Sequence, residues 1–165
     1  SYHELAEKMS LDEYHKKSDE SYEKALTYSP NNAYLLNNYI YYLSLRGERL
    51  ELAKDMIEKC VSITTEPNPS FLDTYAWVLF KLKEYTQAEK IIQKSVEYGG
   101  DSAIIFEHYG DILQALGFLN KATLQWEKAL EKEPTWTQLI YKLLNLTIHV
   151  CQLTTFQFLL GQRLS

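Results

Sequence analysis

Apolar and polar positions alternate with the period of a helix along most of the chain. Leu36, Tyr39, Ile40 and Leu43 stand three or four residues apart, and the spacing returns at Leu72, Tyr75, Ala76 and Leu79 and again at Phe106, Tyr109, Gly110 and Leu113. Stripes of this kind mark the buried face of an amphipathic helix. Each is followed by a turn signal, at Gly47, at Lys83-Glu84 and at Gly117, and then by a second stripe. The second stripes are Leu50, Ala53, Ile57 and Cys60; Tyr85, Ala88, Ile92 and Ser95; and Leu119, Ala122, Trp126 and Ala129. Breakers close the pairs at Pro30, at Pro67 with Pro69, at Gly99-Gly100 and at Pro134. Proline ends a helix because it has no N–H to continue the ladder.

The pattern recurs about every 34 residues, dividing the chain into units at 1–32, 33–68, 69–102 and 103–136. The first unit is partial and carries Tyr2, Leu5, Ala6, Met9, Ser18, Tyr22, Ala25 and Pro30 in the matching register. The second has one extra residue in its turn, within 48–50, and one more near Pro67. Two helices per unit follow, with small residues where the helices cross, because interaxial distances near 8 Å leave no room for larger ones. The sequence therefore predicts an all-α array of about four helix pairs over 1–136. A C-terminal capping helix and an apolar tail are expected over 137–165.

These offsets resemble the tetratricopeptide repeat, over roughly residues 1 to 136. The unit at 103–136 matches best, through Phe106, Tyr109, Gly110, Leu113, Gly117, Ala122, Trp126, Ala129 and Pro134. The stretch LDTYAWVLFKLKEYTQAEKII, followed by FEHYGDILQALG, is similar to a group of bacterial tetratricopeptide proteins often associated with the cell envelope. The resemblance implies a right-handed superhelix that binds peptides or assembles proteins, and it implies no reaction.

Composition narrows the picture. With 165 residues, 45% hydrophobic and 24% charged, the chain suits one domain with a real core. The net charge of −5, with acids and bases interspersed, gives no basic face for nucleic acid. Cys60 and Cys151 lie far apart without metal-ligand spacing, so free thiols are expected rather than a zinc site or disulfide framework. No apolar run reaches the eighteen or so residues of a membrane span, and residues 1–24 are too charged for a signal peptide. The segment reads as soluble, in the cytoplasm or, if a leader has been removed, on the periplasmic side of a bacterial envelope.

In stacked helix pairs the first helices line the concave surface, and their residues outside the packing stripe form the candidate ligand face. These are Tyr34, Asn37, Asn38, Tyr41 and Ser44 in the second unit; Ser70, Asp73, Thr74, Trp77, Phe80 and Lys81 in the third; and Ile104, Glu107, His108, Asp111 and Gln114 in the fourth. The face is aromatic at one side and acidic at the other. Relatives that clamp a C-terminal carboxylate present Lys, Arg and Asn at such places, and here Asn37 and Asn38 remain, with Lys81 at the end of the third unit's first helix. Asp73, Glu107 and Asp111 would repel a carboxylate. The expected partner is a protein or peptide offering apolar side chains to Tyr41, Trp77 and Phe80 and a basic one to the acidic end.

Catalysis has no visible carrier. His108 beside Glu107 and Asp111 could act as a base or metal ligand, but a plain surface histidine is the simpler expectation. His3 and His15 have no well-spaced carboxylate pair, and no metalloprotease, nucleophile-elbow or phosphate-loop motif occurs. No cofactor is implied. Asn145-Leu146-Thr147 fits a glycosylation triplet in a stretch too apolar for an exposed loop. From Thr135 to Ser165 there is no acidic residue, and the apolar content exceeds one helical stripe. Thr135 and Gln138 form a candidate capping box, and the excess apolar surface suggests packing over the last repeat or self-association, with membrane contact the weakest reading. The chain is thus expected to be a non-catalytic interaction scaffold. The alternatives are a recruiting or regulatory domain of a larger enzyme and an oligomerisation domain using its tail.

Overall fold

A computed structural model of the chain describes residues 2–145, with side chains from residue 11 onward. Seven helices follow in order: α1 (Tyr2–Tyr28), α2 (Ala33–Arg46), α3 (Leu50–Ser62), α4 (Pro69–Lys81), α5 (Tyr85–Glu97), α6 (Ala103–Ala115) and α7 (Leu119–Lys132). Residues 137–145 are helical as well, and no strand occurs among the described residues. The chain forms two compact units, Ser1–Gly99 and Gly100–Ser165. The apolar segment beyond residue 145, the triplet ending at Thr147, and Cys151 lie outside the described residues.

Each first helix starts on a side-chain cap. Asn32 Oδ1 accepts from the Leu35 N–H at 3.0 Å, Asn68 Oδ1 from the N–H groups of Ser70 and Phe71, and Ser102 Oγ from the Ile105 N–H at 3.3 Å. A short polar acceptor there satisfies amides that have no partner inside the helix. Pro69 opens α4, where a missing N–H costs nothing. Each first helix also ends alike: Gly47, Lys83 and Gly117 take positive φ. The next amide then reaches back to Leu43, Leu79 and Leu113 respectively, closing the last turn.

In the second unit of the repeat the extra turn residue is Arg49, which adopts a left-handed conformation (φ 49). A side chain there is unfavourable by about 1–2 kcal/mol, and its guanidinium offsets this by donating to Glu23 Oε1 at 2.6 Å and Tyr39 Oη at 2.9 Å.

Within Ser1–Gly99, α2 packs on α3, α4 on α5, and α4 also on α3 and α2. Leu36, Tyr39, Ile40, Leu43, Ala53, Ile57, Cys60, Phe71 and Val78 form one buried cluster. The small residues sit at the helix crossings: Cys60 Sγ donates to the Ala33 carbonyl at 3.2 Å and Ser95 Oγ to the Pro69 carbonyl at 2.7 Å. Within Gly100–Ser165, α6 packs on α7. A Cβ on Gly110 would run into the Trp126 indole, so glycine is required for this close approach. Leu139 of the 137–145 helix is fully buried.

One expectation is corrected. The register of Tyr2 to Pro30 promises a helix pair, but residues 2–28 form one continuous helix. This stretch holds neither glycine nor proline, and its charged, unbranched residues favour helix throughout. Where the later units turn at Gly47, Lys83 and Gly117, the first has helical Glu13.

Candidate interaction surface

The first helices carry the predicted face, and the structure treats its members unequally. On α2, Tyr34 is 69% exposed, Asn38 is exposed, and Asn37 and Tyr41 are half-buried. Ser44 is buried, with its hydroxyl donating to the Tyr41 carbonyl at 2.6 Å. The Tyr34 ring stands edge-on to Phe71, centroids 5.2 Å apart. Asn37 Oδ1 is shut off from solvent and accepts no hydrogen bond from the described residues.

On α4 the expected display is largely internal. Asp73, Thr74 and Trp77 are 6, 3 and 9% exposed, because α4 is flanked by α2, α3 and α5 and buries residues on nearly all sides. Ser70 is exposed and Phe80 half-buried. Phe80 stacks on Trp77 at 4.7 Å between centroids and 13° between planes. Lys81 Nζ lies 5.1 Å over the Trp77 ring, a cation–π contact.

On α6, Ile104 and Gln114 are exposed, Glu107 and Asp111 half-buried. His108 is 4% exposed, so the expected surface histidine is an interior one. The acidic pair is engaged from within the same compact unit. Lys142, on the 137–145 helix, donates to Glu107 Oε1 at 3.0 Å and to Asp111 Oδ1 and Oδ2 at 2.7 and 2.9 Å. The Trp126 Nε1–H also donates to Asp111 at 3.0 Å, and Lys142 Nζ lies 5.6 Å from the Trp126 ring centre. Burial by itself would lower the Lys142 pKa. Its hydrogen bonds and charge pairing with Asp111 and Glu107 outweigh that and raise it.

Lys142 lies outside the face that the sequence points to. A signal exists: it follows Glu107 by 35 residues and Asp111 by 31, which straddles one repeat period, and it is the one lysine in a stretch without acids. A second unforeseen network joins α1 to the α2–α3 turn. Arg46 Nη2 binds both Asp19 oxygens, at 2.7 and 2.8 Å, while Glu23 accepts from Tyr39 Oη at 3.0 Å and from Arg49. Burial, followed by the hydrogen bond to Glu23, pushes the Tyr39 phenol up to about 12. The Arg49 and Tyr39 hydrogen bonds lower the Glu23 pKa.

Burial pushes the Cys60 thiol up to about 11, far from a reactive thiolate. Among the described residues no cluster of three His, Cys, Asp or Glu could hold a metal ion, and no helix is long and apolar enough to cross a membrane.

Comparison with known structures agrees with the geometry. The chain is similar to the first TPR domain of human RPAP3, at 22% identity over 74% of this chain and 95% of that one, with a TM-score of 0.66. It is similar to the first TPR of Spaghetti bound to the HSP90 peptide SRMEEVD, at 22% identity, 72% and 93% coverage, TM-score 0.64. It is also similar to YrrB, described as a TPR protein with an unusual peptide-binding site, at 23% identity, 80% and 67% coverage, TM-score 0.58. No curated protein sequence matches. The tetratricopeptide repeat model matches residues 4–135, four-fifths of the chain, over the same helix pairs whose turns and small crossing residues are described above. The chain belongs to the tetratricopeptide repeat family.

Proposed function

We propose that this chain is a non-catalytic scaffold that holds a peptide or partner protein on the outer face of its first helices, centred on α2. The observation that carries this reading is the open row on α2: Tyr34 and Asn38 exposed, Asn37 and Tyr41 half-buried beside them. Aromatic side chains give large contact area at low entropic cost, and amides supply donors and acceptors for an extended backbone. The Spaghetti structure, with its bound HSP90 peptide, and YrrB, with its peptide-binding site, support peptide capture as a use of this fold.

The partner is apolar and backbone-pairing in character. Phe80, half-buried on α4, extends the apolar surface within the same compact unit, whereas buried Asp73, Thr74 and Trp77 serve to support it. Glu107, Asp111 and Gln114 are secondary: a basic side chain would have to displace Lys142 from the two acids. The absence of lysine and arginine from the displayed places of α2 argues against an acidic chaperone tail.

The test is a peptide-array screen with wild type beside a Tyr34→Ala/Tyr41→Ala variant. Losing a hot-spot aromatic costs about 2 kcal/mol or more, roughly 30-fold in affinity. Unchanged binding by a folded double variant overturns the reading.

A further inference from the structure

We propose that α1 carries an open helix seat, filled in solution by residues 2–9 of a second copy of this chain. The seat is legible by comparison with the other helix pairs. Counting from the turn, Ser18, Tyr22 and Ala25 stand where the third and fourth units have Ala88, Ile92 and Ser95 and Ala122, Trp126 and Ala129. Those six residues are 0% exposed, each set closed over by the first helix of its own pair. Ser18, Tyr22 and Ala25 remain half-exposed. A groove of about 460 Å³ runs over them, lined also by Tyr14, Lys17 and Leu35. Its apolar mouth includes Tyr14, a large ring left 71% exposed.

The occupant follows from register. Tyr2, Leu5, Ala6 and Met9 repeat the spacing of Leu72, Tyr75, Ala76 and Leu79 and of Phe106, Tyr109, Gly110 and Leu113, the stripes that fill the equivalent seats. In the later units this stripe folds back on its seat at a residue of positive φ, Gly47, Lys83 or Gly117. Glu13 holds that place in α1 and is helical. The continuous helix therefore carries residue 5 away from residue 22 by 17 rises of about 1.5 Å, or roughly 25 Å. Its own segment cannot reach the groove, and an identical segment from another molecule can. Exchange of an element between identical chains reuses contacts the sequence already encodes.

The proposal is tested by light scattering on the full chain and two full-length variants. Leu5→Asp/Met9→Asp spoils the stripe and leaves the seat, whereas Ser18→Arg blocks the seat and leaves the stripe. Wild type should weigh at least twice the 19.3 kDa of one chain. A reciprocal exchange gives twice that mass and a head-to-tail one higher multiples, and both place residues 2–9 in a neighbour's groove. Each variant alone should fall to a single chain with unchanged helical circular dichroism, and mixing the two should restore a species of two chains. A monomeric wild type, a variant that stays associated, or a mixture that does not recombine overturns the proposal. Folding back within one chain gives the first outcome and association through the C-terminal segment the second.

Discussion

The first helices α2 and α6 hold equivalent places in the repeat, yet their outer faces meet different fates. Tyr34 and Asn38 on α2 stay open to solvent, while Glu107 and Asp111 on α6 are hydrogen-bonded by Lys142. The inner faces invert the contrast. Tyr39 of α2 is tied into the Glu23–Arg49 network, while Gly110 of α6 makes room for an indole that itself reaches out to Asp111. A repeat place thus fixes which side of a helix is buried in its own pair. It does not fix what the next helical segment brings to the other side.

The strongest way to break this comparison is at Trp126. Replacing it by alanine removes a fully buried indole and one hydrogen bond to Asp111, and should lower stability by about 3–5 kcal/mol in a urea titration. A loss below about 1 kcal/mol would mean that the α6–α7 crossing does not depend on it.

The α2 network has a pH signature. The Tyr39 phenol ionises at about 12 in the folded chain against an ordinary value near 10. The folded form therefore holds its proton where the unfolded form has lost it. The contribution is fully present below pH 10 and fades as pH rises towards 12, by roughly 2–3 kcal/mol at 1.36 kcal/mol per pH unit. Tyr39→Phe should flatten this alkaline loss, and an equally steep decline in that variant would place its origin elsewhere.

Lys142→Ala should cost about 1–3 kcal/mol, since it strips a partner from two half-buried carboxylates. The variant should also gain affinity for basic peptides that weakens with added salt, because the freed acids are screened. If wild type binds such peptides equally well, the acid pair was never masked. The smallest effect is expected at Tyr34→Ala, whose side chain is largely exposed. Its edge contact with Phe71 holds the loss of stability to about 1 kcal/mol, while partner binding falls by more, which separates a ligand face from a packing face.

Much of the fold is readable from residue spacing. The stripes at Leu36–Leu43, Leu72–Leu79 and Phe106–Leu113, their turns and their small partners are local signals, and each became a helix pair. The candidate face was less legible. Trp77 lies outside its helix's packing stripe and is still buried, because a helix flanked by three others has no free side. Glu107 and Asp111 look like a basic-ligand site until a lysine more than thirty residues away folds over them.

What the sequence determined by itself is the period, the helix pairs after residue 32 and the chemistry of each place, since helical periodicity, caps and turns act over a few residues. Tertiary structure decided that Lys142 answers the acids of α6. It also decided which aromatics meet solvent. Those outcomes depend on which helices flank a face, and a 34-residue repeat repeats the register of a face without repeating its neighbours.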